Sequence, residues 1–334
     1  MRCGDRPGDQ PAAGNHPARS ETTTIGSVLL AGRSALIGLL LLVVAGCSGP
    51  PGVKTEVADV DRSGERAPAD VKGADAVIEA APAAAVAGCD RKTIGEESGP
   101  LAVAYAVDDG RIASEPCIGT ASRVVEDAWR DLAAIAPLQL IDDVAIVAGF
   151  EDSGSDTLAY ASPVSDDSDE HLIAIGLGAA TDDPQELRLT MAHELAHVFT
   201  QTTDQIDVAV FEDECDTFFN GFGCFQLDAY ITAWVDQFWT PAAIDSLPAD
   251  HGVDLEGGEE RCAVDAGFPG SYAASHPEED FAESFSAFVF DIDLPVGPDA
   301  RLSFFEAYPE FVGMRASVRA EGAVPPANSF DRCG

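Results

Sequence analysis

The stretch "HELAH" contains the residues of this chain best suited to chemistry, namely His193, Glu194 and His197. On a helix, residues four positions apart lie one turn apart, so both imidazoles project from the same face. Two ring nitrogens at that spacing can bind one zinc ion, with Zn–N distances of about 2.0–2.1 Å. Glu194 would then lie beside a water molecule on the metal. The pattern therefore predicts a zinc site with Glu194 as the general base.

A catalytic zinc ion requires a third protein ligand and one open coordination position. One known continuation of the motif, the metzincin pattern, has a glycine at position 200 and a histidine at position 203. This chain has Thr200 and Thr203 at those positions, which excludes the metzincin arrangement. The third ligand is therefore expected to be a glutamate from a later helix, as in the gluzincins.

A second stretch, "SYAASHPEEDFAESF" (Ser271–Phe285), supplies such a glutamate. Tyr272 is followed seven positions later by E-x-F-A-E, and this pattern resembles the anthrax lethal factor metalloprotease family. The resemblance implies that Tyr272 is an active-site tyrosine, Glu279 the third zinc ligand and Glu283 a second acid. Because Glu279 and Glu283 are one helical turn apart, one can bind metal while the other accepts an N–H from a ligating histidine.

The acids on either side of Glu279, Glu278 and Asp280, remain alternative ligands on sequence alone. The resemblance implies a zinc metallopeptidase that hydrolyses a peptide or protein substrate. Glu194 would take a proton from zinc-activated water and deliver it to the leaving amine, and Tyr272 would donate a hydrogen bond to the oxyanion. Two other functions stay open: a surface binding or structural lipoprotein with a non-catalytic zinc site, and a zinc amidohydrolase acting on cell-wall peptide. The presence of Glu194 favours an enzyme over a binding protein.

The N-terminal region has the features of an export signal. Arg33 precedes an apolar run, "ALIGLLLLVVAG", which Cys47 follows directly. The run is too short for a membrane span, which takes roughly 20 apolar residues. Its ending, "VAGC", resembles the lipobox of bacterial lipoproteins, which implies a signal peptide over residues 1–46 and a lipid anchor at Cys47. A signal peptide followed by an unmodified cysteine is the alternative. In the first case the protein is extracytoplasmic and anchored to the cell membrane.

The net charge of −39 limits the partners of the protein. Such a surface repels nucleic acid and anionic lipid headgroups, so membrane contact is expected through the lipid anchor alone. Residues 47–88 are rich in Ala, Pro, Gly, Asp and Val without a sustained period, which predicts a flexible tether. Residues 89–334 are the expected zinc metallopeptidase-like domain. The oligomeric state cannot be predicted from these patterns.

Six cysteines follow Cys47, which in an exported protein predicts three disulfides. Six cysteines allow 15 pairings. Proximity in sequence favours Cys215–Cys224, and the expected remaining pairs are Cys89–Cys117 and Cys262–Cys333. A four-cysteine zinc site is the competing interpretation, but the sequence contains no C-x-x-C pair.

The order of the predicted elements indicates the fold class. Buried strands are predicted over residues 143–150 and 171–178, after a helix over 121–136. The helix that carries HELAH is expected to begin with Asp183 as N-cap and Pro184 at the first helical position. Further helices are predicted over 228–238, from Pro277 onward and over 298–320. Strands first and helices afterwards predict an α+β fold, a zincin-like domain with a small sheet, an active-site HExxH helix and a helical C-terminal part.

Overall fold

The computed structural model describes residue 89 and residues 101–151, 157–165, 168–182, 184–294, 297, 299–322, 330 and 333. All of them belong to one compact unit, Ala74–Gly334. The predicted signal peptide, the tether, Cys47 and the predicted N-cap Asp183 lie outside the described residues. Within the described part, no helix is long and apolar enough to cross a membrane.

A six-stranded mixed sheet is the β part of an α+β fold. Its strands are β1 (Leu101–Asp108), β2 (Arg111–Ile112), β3 (Ile118–Gly119), β4 (Val144–Phe150), β5 (Ala159–Pro163) and β6 (His171–Gly176). The strand order is β2-β1-β4-β6-β5, with β3 paired to β1. β4 and β6 are parallel and the other pairs are antiparallel. The strands predicted over 143–150 and 171–178 are thus confirmed as β4 and β6. β5 lies next to β6, at the edge of the sheet.

Helices make up most of the remaining described structure. They are α1 (Arg123–Ile135), α2 (Leu138–Ile141), α3 (Leu177–Asp182), α4 (Pro184–Thr200), α5 (Tyr230–Phe238), α6 (Pro241–Ile244), α7 (Leu255–Val264), α8 (Pro277–Val289), α9 (Asp299–Phe304) and α10 (Pro309–Glu321). A two-residue pair of strands, β7 (Ile206–Asp207) and β8 (Cys224–Phe225), lies between α4 and α5. The predicted α+β class is therefore confirmed for the described residues.

Two buried helices, α4 and α8, pack against each other through aromatic side chains. Every residue of α8 except Glu283 is buried. The ring of Phe199, near the end of α4, lies 6.1 Å from the ring of Phe281 and 5.2 Å from that of Phe285 in α8. Such aromatic pairs contribute about 0.5–1.5 kcal/mol each beyond the area that they bury. This packing fixes how α8 lies along α4, and so which residues of the two helices face each other.

The C-terminal helical part differs from the prediction of one helix over 298–320. It consists of α9, a 3-10 turn over Phe305–Ala307, and α10. Pro309 is the first residue of α10 and has no N–H to continue a preceding helix, and it restricts the residue before it to extended backbone. Tyr308 accordingly has φ −111° and ψ 112°. The single predicted helix is therefore wrong, because Pro309 divides it.

Helix α7 was not predicted, because Gly257 and Gly258 in its first half lower its intrinsic helix propensity. Asp254 caps the helix by accepting the backbone N–H of Gly257 at 3.0 Å. Gly258 is required by close packing, since a Cβ there would lie 2.5 Å from the carbonyl oxygen of Ser271. Tertiary contact with the segment before α8 therefore outweighs the local preference.

The described structure contains three disulfides, at the predicted pairs Cys89–Cys117, Cys215–Cys224 and Cys262–Cys333. The predicted connectivity is therefore confirmed, and the four-cysteine zinc site is excluded because all six thiols are paired. Cys262 lies in α7, so its bond to Cys333 ties the C-terminal segment to that helix. Cys215–Cys224 closes the loop that precedes α5.

Candidate metal centre

The packing of α4 on α8 brings the two sequence motifs together. His193 and His197 lie one turn apart on α4, and Glu279 lies in the first turn of α8. The start of α8 is fixed locally: Pro277 is its first residue, and Nδ1 of His276 accepts the backbone N–H of Glu278 at 3.4 Å as an N-cap. The short N-terminal turn therefore presents Glu279 to the histidine face of α4.

Three atoms from these side chains form a small triangle. His193 Nε2 lies 3.1 Å from His197 Nε2 and 3.1 Å from Glu279 Oε2, and His197 Nε2 lies 3.5 Å from Glu279 Oε2. Ligands on a zinc ion at about 2.0–2.1 Å stand about 3.3–3.4 Å apart in a tetrahedron. The observed edges bracket that value, so these three residues could hold one metal ion. No other group of this kind occurs among the described residues.

One buried oxygen of the triangle, Glu279 Oε2, also fits a bound cation. Glu279 Oε2 and His193 Nδ1 are buried and have neighbours at hydrogen-bonding distance, yet neither makes a well-directed hydrogen bond within the described protein. A buried polar atom without a directed partner typically costs about 1–3 kcal/mol. A metal ion at the centre of the triangle would supply the missing partner for the Glu279 oxygen.

Glu283 lies where a carboxylate could orient a metal-binding histidine. Its Oε1 is 3.2 Å from Nδ1 of His193, the ring nitrogen on the far side from Glu279. Such outer contacts hold an imidazole in the tautomer and orientation that a metal requires. The structure therefore places Glu279 and Glu283 on the two opposite nitrogens of one ring.

The electrostatics of the site favour a positive charge. Burial lowers the pKa of His193, but the carboxylates of Glu279 and Glu283 outweigh burial and raise that pKa well above its ordinary value. Burial raises the pKa of Glu279, but the imidazoles of His197 and His193 outweigh it and hold that pKa well below its ordinary value. Protons and a metal cation therefore compete for the same buried group of ligands.

Glu194 is buried beside the triangle and faces strand β5. Its carboxylate is within reach of the backbone N–H of Ala161 in β5. Burial raises the pKa of Glu194, and the neighbouring imidazoles of His193 and His197 act in the opposite direction. A carboxylate whose pKa is raised toward neutrality is better suited to exchange protons with a substrate.

Tyr272 borders the site from the segment that precedes α8. The residue is 40% exposed, and its ring centroid lies 6.1 Å from that of His193. Burial of the hydroxyl raises the pKa of Tyr272, and the carboxylates of Glu279 and Glu194 raise it further. The hydroxyl therefore stays protonated and is a hydrogen-bond donor near the candidate ligands.

The two acids that flank Glu279 serve other partners. Glu278 accepts hydrogen bonds from the amides of Gln201 and Asn220. Asp280 accepts the indole N–H groups of Trp234 and Trp239 at 3.0 Å each, and Nε of Arg301 at 2.9 Å. Because three consecutive helical residues point about 100° apart, they cannot share one ion. Glu279 is therefore the acid of this turn that faces the histidines.

Sequence reasoning did not identify the partners of these two acids. Arg301 and the two tryptophans lie on segments with no pattern that distinguishes them from core residues. A usable signal was the run of acids in the first turn of an otherwise apolar helix, since charged residues are almost never fully buried unless they are paired. That signal indicates that partners exist, but it does not name them.

Comparisons with protein-family models, with curated proteins and with solved structures find no match to this chain. The resemblance described above therefore depends on the residues of the two sequence motifs alone.

Proposed function

We propose that this protein is a zinc-dependent peptidase of gluzincin type with a zincin-like fold. The observation that carries the proposal is the convergence of His193, His197 and Glu279 around one point, with Glu194 next to it. Two imidazoles and one carboxylate leave the fourth position of a tetrahedral ion open, which is typical of catalytic rather than structural zinc sites. The mixed nitrogen and oxygen ligands favour zinc over calcium or magnesium, which prefer oxygen ligands alone.

The residues of the site have complementary roles in hydrolysis. When bound, the metal ion supplies a Lewis acid that polarises a carbonyl and lowers the pKa of water. Glu194 accepts the proton of the attacking water and passes it to the leaving amine. Tyr272 donates its hydroxyl proton in a hydrogen bond to the oxygen on which negative charge develops. Glu283 keeps the ring of His193 in place through its contact with Nδ1.

The edge strand β5 supports a peptide as the substrate. β5 lies at the edge of the described sheet, and no described strand pairs with its outer side. An extended peptide can add to such an edge through backbone hydrogen bonds. A peptide bound there would pass close to the catalytic base, because the Glu194 carboxylate is within reach of the Ala161 N–H of β5.

The proposed location is outside the cytoplasm, with the chain anchored to the membrane through lipidated Cys47. Three disulfides support an oxidising compartment, since such bonds rarely persist in a reducing cytosol. The tether over residues 47–88 would then separate the catalytic domain from the membrane surface.

Metal analysis combined with peptide digestion tests the proposal. We expect the purified full chain to contain one zinc ion and to cleave members of a peptide library. Chelation should stop cleavage and added zinc should restore it. A zinc-loaded protein that hydrolyses only cell-wall peptide would instead favour the amidohydrolase, and one that hydrolyses neither substrate would favour a binding or structural lipoprotein.

Replacing Tyr272 with phenylalanine is expected to lower kcat about 100-fold and to leave KM nearly unchanged. The hydroxyl is used where charge develops in the transition state, and one such donor is typically worth 10²–10³ in kcat, about 3–4 kcal/mol. Steady-state kinetics on a cleaved peptide measure both constants. Tyr308→Phe is the matched control, since Tyr308 packs against Phe311 away from the ligands. A Tyr272→Phe variant with wild-type kcat would contradict the role.

A further inference from the structure

Glu278 is a buried carboxylate next to a candidate metal ligand, and no step of the proposed reaction uses it. Only 7% of the residue is exposed. Its Oε1 accepts a hydrogen bond from Gln201 Nε2 at 3.0 Å and from Asn220 Nδ2 at 3.2 Å, and its Oε2 lies 3.1 Å from the same Asn220 nitrogen. A buried carboxylate is costly to desolvate unless such donors hold it. These contacts therefore determine where Glu278 lies.

The two donors belong to separate parts of the chain. Gln201 directly follows α4 and stands four residues after His197. Asn220 lies in the loop closed by the Cys215–Cys224 disulfide. Glu278 thus joins the first turn of α8 to the end of the histidine helix and to a covalently closed loop.

The amide of Asn220 is held in position by its own loop. Its Oδ1 accepts the backbone N–H groups of Phe222 and Gly223 at 3.0 Å each, which leaves Nδ2 facing Glu278. Gly221 between them has φ +90°, a left-handed conformation that glycine adopts without strain. Asn220 is therefore a fixed donor rather than a mobile surface amide.

Three contacts with α8 are spaced four residues apart, two on α4 and one directly after its end. His193 contacts Glu283, His197 faces Glu279, and Gln201 donates to Glu278. We infer that Glu278 is a positioning residue, which holds the first turn of α8 so that Glu279 reaches both imidazoles. The inference rests on the proposed metal site. Asp280 holds the other side of this turn through Trp234, Trp239 and Arg301, so the contacts of Glu278 hold the side next to Gln201 and Asn220.

Zinc affinity measured by chelator competition on the full chain tests the role of this contact. We expect Glu278→Ala and Asn220→Ala each to weaken zinc binding about 10–100-fold, the usual loss for a residue that orients a ligand. The double variant should bind zinc no more weakly than Glu278→Ala alone, because Glu278→Ala already removes the contact with Asn220. Glu126→Ala is the control: it loses a hydrogen bond of 2.7 Å from Tyr105, away from the ligands, and should bind zinc like the wild type.

The absorption spectrum of the cobalt-substituted protein gives a second readout, independent of activity. We expect the ligand-field bands to shift in Asn220→Ala and to stay unchanged in the Glu126→Ala control. The positioning role is overturned if folded Asn220→Ala and Glu278→Ala bind zinc like the wild type, or if their effects add in the double variant. If the Glu278→Ala variant does not fold, the zinc affinity of Asn220→Ala alone tests the positioning role, because Asn220 is only half-buried.

The same experiment separates this inference from the proposed function. A wild-type chain that binds no zinc would refute both. If His193→Ala abolishes binding while the folded Glu278→Ala and Asn220→Ala variants bind zinc like the wild type, the metal site stands and only the positioning role is wrong.

Discussion

Glu194→Gln is expected to lower kcat/KM for peptide hydrolysis about 10²–10⁴-fold while zinc stays bound, because removal of a positioned general base has effects of this size. Glutamine has the same shape, and its side-chain oxygen can still accept a hydrogen bond from the Ala161 N–H. It cannot take up a proton at neutral pH. The variant therefore removes proton transfer and leaves the ligands His193, His197 and Glu279 in place.

Peptide cleavage and zinc content, measured on the same preparation, check this result. Glu186→Gln, in the first turn of the same helix and away from the ligands, is the matched control and should cleave at the wild-type rate. Two outcomes would contradict the assignment. Full activity in Glu194→Gln would require another base, and loss of zinc together with activity would make Glu194 a structural part of the site.

The local part of the site could be predicted because it depends only on helix geometry. His193, Glu194 and His197 are close in sequence, and a period of 3.6 residues places both imidazoles on one face. The choice of Glu279 over Glu278 and Asp280 could not be made in the same way. It depends on which side chains surround the start of α8. Those side chains are dispersed in the sequence between Gln201 and Arg301.

The convergence itself follows from packing that no local pattern contains. Phe199 meets Phe281 and Phe285 across the interface, and this contact sets how α8 lies along α4. The sequence between the two helices folds into separate elements, including the disulfide loop that reaches Glu278. Periodicity identifies apolar faces, but it does not state which two faces meet.

The fold shows the same division between local and tertiary information. β4 and β6 were predicted because continuous apolar runs are typical of strands buried on both faces. β5 (Ala159–Pro163) is a short edge strand whose sequence, "AYASP", has no such run, so it was missed although it borders the site. In the C-terminal part, Pro309 is visible in the sequence, and its restriction on Tyr308 was sufficient to predict the break.

Glu279→Ala is expected to remove zinc and activity together. Glu279 is the anionic member of the triangle, and without it only the imidazoles of His193 and His197 remain to hold a divalent cation. The loss of affinity should exceed the 100-fold that is the upper end for residues that merely orient a ligand. Glu283→Ala should fall within about 10–100-fold, because its carboxylate contacts His193 rather than the ion. Glu310→Ala, which loses a hydrogen bond of 2.8 Å from Tyr230, should keep full zinc affinity.

Thermal unfolding with and without zinc measures the same difference through stability. A ligand that binds only the folded state stabilises it by about 2.7 kcal/mol at 100 times its dissociation constant. Wild type and Glu310→Ala should therefore gain thermal stability on addition of zinc, and Glu279→Ala should not. The decisive result is which of the variants loses more zinc affinity. If Glu278→Ala loses zinc more completely than Glu279→Ala, the first turn of α8 presents a different acid to His193 and His197 than the geometry indicates, and the ligand assignment is wrong.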